Sequence, residues 1–369
     1  MTTMPATATD RVFNFSAGPG VLPEEVLRQV QQDVWNIAGT GMGIMEHSHR
    51  DKLFDRVLAE AIADCRKVGS IGDDYEVLFL TGGATTQNFM VPMNLLPQDG
   101  VADYLVTGYW AEKSAEEAAL YGKINLAFDG RPTKHTYVPR QNEINFSPNA
   151  AYVHYTSNNT IVGTEYHDVP QPPKGVPLVC DASSDIFSRP WDVTKFGLVY
   201  AGAQKNVGPA GTTLVIIRKD LLDRNPRPLP SLMQYRVFAK NESRPNTPPV
   251  FPIYVVGLVF KWILKQGGLG PIGQRNAAKA KIIYDVLDAS EFYRGHARPD
   301  SRSLMNITFR CPTEEQDSLF MSEAKKEGMV NLKGHRSTGG MRASVYNAFP
   351  LEGCEAIAQF MRDFERRHG

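Results

Sequence analysis

Lys205 stands in Val199-Tyr200-Ala201-Gly202-Ala203-Gln204-Lys205-Asn206-Val207-Gly208-Pro209, just past an apolar run and among small residues. An amine placed where a strand end meets a ligand crevice has a depressed pKa and can form a Schiff base. The alternative is an ordinary surface lysine in a loop; the small neighbours and the scarcity of local charge weigh against it. Asp181 closes a second apolar run, Leu178-Val179-Cys180-Asp181-Ala182-Ser183-Ser184. A carboxylate there needs a partner, which is the next helix as an N-cap, an arginine or a ligand cation. An imine-forming lysine with a carboxylate for a pyridinium nitrogen is the pair that pyridoxal phosphate requires. A third feature, Thr81-Gly82-Gly83-Ala84-Thr85-Thr86, follows a short apolar run. Glycines that let the backbone turn sharply, before a helix start with free N–H groups, suit a phosphate; packing of a βα turn is the other reading. The pattern is neither a P-loop nor GxGxxG.

These residues need a scaffold, and the chain alternates between strand-like and helix-like segments. Strands are expected at 75–80, 102–107, 152–156, 177–180, 198–201 and 212–217, with helices opening at Leu22-Pro23-Glu24-Glu25 and running over 112–121 between them. Such alternation implies an α/β fold, a parallel or mixed sheet covered by helices on both faces, with ligands bound beyond the carboxyl ends of the strands. Gly267-Gly268-Leu269-Gly270-Pro271 punctuates the second half. The expected organisation is a flexible N-terminal tail over 1–12, a large domain over 13–267 and a smaller C-terminal α+β domain over 268–369.

Composition narrows the function classes. The 369 residues hold 40 Lys+Arg against 40 Asp+Glu, which argues against holding nucleic acid or anionic lipid through bulk charge. Four scattered cysteines form no CxxC pair, so neither a structural zinc nor a disulfide framework is expected and a reducing compartment fits. Val250 to Phe260 is the strongest apolar stretch, yet Pro252 and Lys261 bound it well short of the roughly 20 residues a membrane span needs. A buried or interface helix is expected there, in a soluble cytoplasmic protein without metal.

Beyond these features, longer segments resemble one family. Asn14-Phe15-Ser16-Ala17-Gly18-Pro19, Met45-Glu46-His47-Ser48-His49-Arg50, Val91-Pro92-Met93-Asn94-Leu95-Leu96, Gly202-Ala203-Gln204-Lys205-Asn206, Gly334-His335-Arg336 and Gly339-Gly340-Met341-Arg342-Ala343-Ser344 resemble the phosphoserine aminotransferases. These are pyridoxal phosphate enzymes of aspartate-aminotransferase fold (fold type I), and the resemblance runs from Asn14 to the C-terminus. It implies that Lys205 carries the cofactor and shuttles a proton at the substrate α-carbon, and that Asp181 pairs with the pyridine nitrogen. It further implies that Trp110 stacks on the ring, Thr160 bonds its phenolic oxygen, and Ala84, Thr85 and Gln204 hold the phosphate. Asn246 and Thr247 would reach that phosphate from a neighbouring subunit, which makes a homodimer with shared active sites. Some members have arginine where this chain has Thr85, which shifts phosphate recognition onto the remaining cations.

Those cations define the expected substrates. His49, Arg50, His335, Arg336 and Arg342 lie in two short segments with few acids nearby. Phosphoserine, glutamate and 2-oxoglutarate each carry two anionic ends. By resemblance Arg342 is the α-carboxylate clamp, a role suited to a planar guanidinium, and the other four form the distal pocket. The implied reaction interconverts 3-phosphoserine plus 2-oxoglutarate with 3-phosphohydroxypyruvate plus glutamate, in serine biosynthesis; the phosphorylated hydroxythreonine of vitamin B6 synthesis is a related substrate. The rivals are an alanine–glyoxylate type aminotransferase or a cysteine desulfurase of the same superfamily, and a non-catalytic phosphate-binding protein. The last leaves Lys205 and Asp181 without a task.

Overall fold

The computed structural model describes residues 11–224 and 226–369; most of the expected tail, residues 1–10, lies outside the described residues. At its centre is a seven-stranded sheet. Named by their first residues, the strands run in the order Tyr75, Thr212, Leu198, Leu178, Val153, Val101 and Lys123. The last five of these pair in parallel, whereas Thr212–Arg218 is antiparallel to both Leu198–Gly202 and Tyr75–Thr81. The sheet is therefore mixed but mostly parallel, the α/β arrangement that the alternation predicts.

The expected strands fall within a residue or two of the observed ones because each is a short apolar run buried on both faces; Leu198–Gly202 and Leu178–Asp181 are buried throughout. The edge strand Lys123–Asp129 was not expected, since it is half-exposed and lacks such a run. Helices cover both faces. Leu58, Ala61 and Phe54 of Lys52–Gly69 pack with Ile253, Val256 and Phe260 of Val250–Lys265 on one side. Leu95 and Ala118 pack with Leu78, Tyr104 and Tyr200 on the other. Pro252 is tolerated in the first turn of Val250–Lys265, where its missing N–H has no intrahelical acceptor. Among the described residues no single helix is long and apolar enough to cross a membrane.

Val250–Lys265 turns by 89° into Leu269–Ala289 at Gly267 and Gly268, both at positive φ. This second helix begins inside the glycine-proline punctuation itself, because Gly270 and Pro271 occupy its permissive first turn. Ile272 still belongs to the core under the sheet, whereas Ala280, Ile283 and Val286 face a second core built from the C-terminal residues. That second core includes Phe13 and Phe15, because Phe13–Asn14 pairs in parallel with Met329–Val330. The chain then crosses from the C-terminal core back to the main sheet over residues 16–20.

Phe320 centres the second core, fully buried, with edge-on contacts to Tyr293, Phe309, Phe360 and Phe364. Phe320→Ala removes this hub and leaves a cavity, so it is expected to cost about 3–5 kcal/mol of unfolding free energy. A denaturant midpoint measured against wild type checks this.

Candidate active site

The carboxyl ends of Val153–Thr156, Leu178–Asp181 and Leu198–Gly202 converge on one cavity. Gly83, Ala84, Thr85, Asn88, Trp110, Asp181, Ser183, Gln204 and Lys205 line it. Asp181 and Lys205 thus meet because they end adjacent parallel strands, as ligand groups do in such sheets. Lys205 Nζ donates to Thr160 Oγ1 at 2.8 Å. Burial pulls its ammonium from 10.5 down to about 8; Asp181 opposes this, Arg342 adds to it and Asp185 opposes it.

Asp181 is fixed rather than free. Its Oδ1 accepts from Ser183 N at 3.0 Å and Ser183 Oγ at 2.6 Å, and Ser183 Oγ in turn accepts from Gly202 N. The side chain therefore closes its own turn while facing the cavity; turns and not a helix follow it, so it is not the N-cap that the alternative reading expected. Behind it, burial and then Glu165 push the Asp185 carboxyl up, with Arg189 opposing; Ser157 donates to Asp185.

Thr160 is the joint of the site. Besides accepting from Lys205, its carbonyl oxygen accepts from Arg342 Nη1 at 3.1 Å. Arg342 Nε is buried with no hydrogen-bond partner among the described residues, and burial lowers the guanidinium pKa while Tyr346 opposes. An unpartnered buried donor on a cation beside a cavity is suited to an anionic ligand. His335 and Arg336 are close by: burial, then Arg342 and Arg336, depress the His335 imidazole. The His335 ring lies 5.8 Å from Tyr109, which contacts Trp110 edge-on.

At the opposite end, Ala84–Thr86 forms a single tight turn leading into Gln87–Leu95, and neither Gly83 nor Thr86 caps it with a side chain. A Cβ built on Gly82 or Gly83 would meet nothing within 4 Å, so this backbone faces open space. Gln204 folds back beside it: a Cβ at Gly202 would lie 2.7 Å from Gln204 Oε1 and 3.4 Å from the Ala84 Cβ.

The remaining predicted residues gather elsewhere. His49 is half-buried, and Arg50, Asn246 and Thr247 are exposed; none is among the residues lining the Lys205 cavity. Arg244 ties the two segments together, donating to the His49 carbonyl at 3.4 Å and pairing with Asp55. Of the fourteen predicted residues, Ala84, Thr85, Trp110, Asp181, Gln204 and Lys205 thus line the cavity. Thr160 and Arg342 join them through hydrogen bonds and His335 through the charge of Arg342, while Arg336 is exposed beside His335 and the other four gather around Arg244.

Against known proteins, residues 12–357 match the family model of class-V aminotransferases. A phosphoserine aminotransferase of Herpetosiphon aurantiacus is 51% identical over 97% of this chain and 99% of its own. The chain belongs to the phosphoserine aminotransferases of class V. The solved phosphoserine aminotransferase from Bacillus circulans subsp. alkalophilus is 48% identical, with a TM-score of 0.95 over 98% of this chain and all of that one. A pyridoxal phosphate-bound phosphoserine aminotransferase from Trichomonas vaginalis is 36% identical, with a TM-score of 0.91 over 95% of this chain and all of that one.

Pyridoxal phosphate is the cofactor of this aminotransferase. The residues present fit it: a buried amine of lowered pKa, a fixed carboxylate, an indole on the cavity wall and an open glycine turn at a helix start. Sequence reasoning missed Asn88 and Ser183, which also line the cavity, and the bridging carbonyl of Thr160. The Asp181–Ser183 spacing is a local Asx-turn signal that could have found Ser183; nothing local marks the other two.

The lowered Lys205 pKa has a consequence for the cofactor-free protein. Between about 8 and 10.5 the unfolded chain binds more protons at this residue than the folded one, so stability rises with pH there. Below about 8 the folded amine is charged and buried. Cofactor-free wild type is expected to be less stable than Lys205→Met at pH 7, with the gap closing toward pH 10.5; a gap constant with pH in urea titrations would contradict the buried amine.

Proposed function

We propose that this aminotransferase interconverts 3-phosphoserine plus 2-oxoglutarate with 3-phosphohydroxypyruvate plus glutamate, in cytoplasmic serine biosynthesis, and accepts phosphohydroxythreonine as a related donor. The observation that carries the reading is the half-buried Arg342 guanidinium, whose buried Nε has no partner among the described residues, joined through Thr160 to the amine of Lys205. A substrate carboxylate on Arg342 would bring an α-amino carbon toward Lys205. His335 and Arg336, beside Arg342, suit the distal anion, phosphate in one half-reaction and carboxylate in the other. The names of relatives about half identical over nearly the whole chain support the same substrate.

In this reading Lys205 is the lysine that holds the cofactor and then takes up and returns the proton at the substrate α-carbon, for which a pKa near neutrality is suited. Asp181, fixed by Ser183, keeps the ring nitrogen protonated. Trp110 packs on the ring, and Ala84, Thr85 and Gln204 hold the phosphate. When bound, the cofactor supplies an electron sink for the negative charge left on the α-carbon. One cationic site serves both amino acids in turn, so donor and acceptor alternate in a ping-pong cycle. The expected division into 13–267 and 268–369 would put Arg342 and Lys205 on different units, closing on the substrate between them.

The active enzyme in this proposal is a homodimer. His49, Arg50, Asn246 and Thr247 gather on a surface away from the Lys205 cavity, which is what donation to a second copy's site would require. Trp35, 85% exposed, and Met45, 60% exposed, give that part of the chain apolar surface to cover.

With 2-oxoglutarate as acceptor, phosphoserine is expected to exceed alanine by far as donor. Arg342→Ala should lower kcat/KM for both phosphoserine and glutamate by about 2 kcal/mol or more, roughly 30-fold. An effect on phosphoserine alone would contradict the α-carboxylate clamp. Shared sites have their own test: Arg50→Ala and Lys205→Ala, each inactive, should regain roughly a quarter of wild-type activity after mixing and subunit exchange, since half the dimers then hold one intact site. No recovery despite exchange would place both residues in a single-chain site.

A further inference from the structure

Helix Leu269–Ala289 buries a lysine that takes no part in the cavity. Lys279 is 0% exposed, and its Nζ donates to the carbonyl oxygens of Val345 at 2.8 Å, Tyr346 at 2.6 Å and Phe349 at 3.2 Å. An ammonium has three donors, so all three go to one turn of main chain. Burial pulls this ammonium down to about 7, with the Cys354 thiol opposing and Arg275 adding to the fall. An apolar side chain of similar length would fill the space but leave this turn of main chain without its donor, so the lysine is there to hold the turn rather than to pack the core.

The turn it gathers touches the site from three directions. Asn347 N donates to Asn206 Oδ1 at 2.9 Å, and Asn206 directly follows Lys205. Asn276, one helical turn before Lys279, holds Asn347 Oδ1 at 2.7 Å. Tyr346 Oη donates to the Ala17 carbonyl at 2.6 Å. Its ring also fills the space beside Gly20, where a Cβ would lie 2.7 Å from Tyr346 Cδ2 and 2.6 Å from the Lys205 carbonyl oxygen. Gly20 N in turn donates to the Gln204 carbonyl at 2.7 Å. Finally, the turn continues the strand Met341–Ser344 that carries Arg342.

We propose that Lys279 is a positioning residue: its ammonium holds the 345–349 turn as the joint that fixes the Lys205 segment, the strap of residues 17–20 and the Arg342 strand relative to one another. Without it the Val345 and Phe349 carbonyls lose the ammonium, the Tyr346 carbonyl keeps only Phe349 N, and the joint relaxes. The inference rests on Lys205 being the cofactor-bearing lysine, and that reading fails separately: wild type would then lack a visible band reducible by borohydride, or Lys205→Ala would keep it.

The test compares Lys279→Met with wild-type holoenzyme and with Phe364→Leu, a core variant remote from the turn that serves as a control for lost stability. Three readouts are taken: the pH midpoint of the visible band, kcat and KM for glutamate, and amide exchange of residues 14–20 in cofactor-depleted protein. Lys279→Met is expected to shift the midpoint, lower kcat/KM roughly 10–100-fold and speed exchange of the strap, whereas Phe364→Leu lowers only the Tm. Tyr346→Phe, which removes the bond to Ala17 and the longer one from Asn306 but leaves Lys279 and its three acceptors in place, should speed strap exchange and shift the midpoint in the same direction. A Lys279→Met protein that loses Tm but matches wild type in all three readouts overturns the proposal. If that variant does not fold, a wild-type-like Tyr346→Phe does so instead.

Discussion

Two cations held close together by one threonine are the constraint on which this structure turns. Lys205 and Arg342 both lose solvent, Arg342 lowers the tendency of Lys205 to carry charge, and Thr160 accepts a hydrogen bond from both. Burying like charges side by side is unfavourable unless the surroundings are fixed and an anion completes them. The carboxylate of Asp181 supplies part of the balance from the cavity floor. What is left over favours an anionic ligand beside Arg342.

Such a site needs a frame that does not yield, and a connected polar network supplies it. Asn158 donates to Ser184 Oγ and Asn306 Oδ1, and its own oxygens accept from Ser184 and Ser303. Asn306 continues to Ser344 Oγ at 2.9 Å, on the strand of Arg342, and to Tyr346 Oη at 3.3 Å. Each group is buried and partnered, which makes such a network rigid where a half-satisfied one would be costly. Gly163, at φ +75°, lets the hairpin around Thr160 approach this frame: a Cβ there would lie 2.7 Å from both the Asn306 carbonyl and Thr308 Oγ1. The main sheet and the C-terminal core are thereby locked at the point where their two cations meet.

Much of this was readable along the chain, though unevenly. Buried strands announced themselves as short apolar runs, and Lys205 and Asp181 stood out because polar groups at the ends of such runs need a reason. Lys123–Asp129 did not, since a half-exposed edge strand carries no comparable run. The strap over residues 16–20 is glycine, proline and small residues, a loop by any local measure. Its role comes from Tyr346, 329 residues from Ala17. His49 and Arg50 looked like companions of His335 and Arg336 by type, yet they lie on a separate surface together with Asn246 and Thr247.

The sequence by itself determined the α/β alternation, the inventory of reactive groups and the neutral sum that hides local cation clusters. These are properties of residue type and short-range spacing. Only the tertiary structure decided that Thr160 stands between an amine 45 residues away and a guanidinium 182 residues away. It alone made Lys279 a clamp on a turn 66 to 70 residues distant. Hydrogen bonds act over about 3 Å, and distances of that order between remote residues are fixed by packing and pairing rather than by any local pattern.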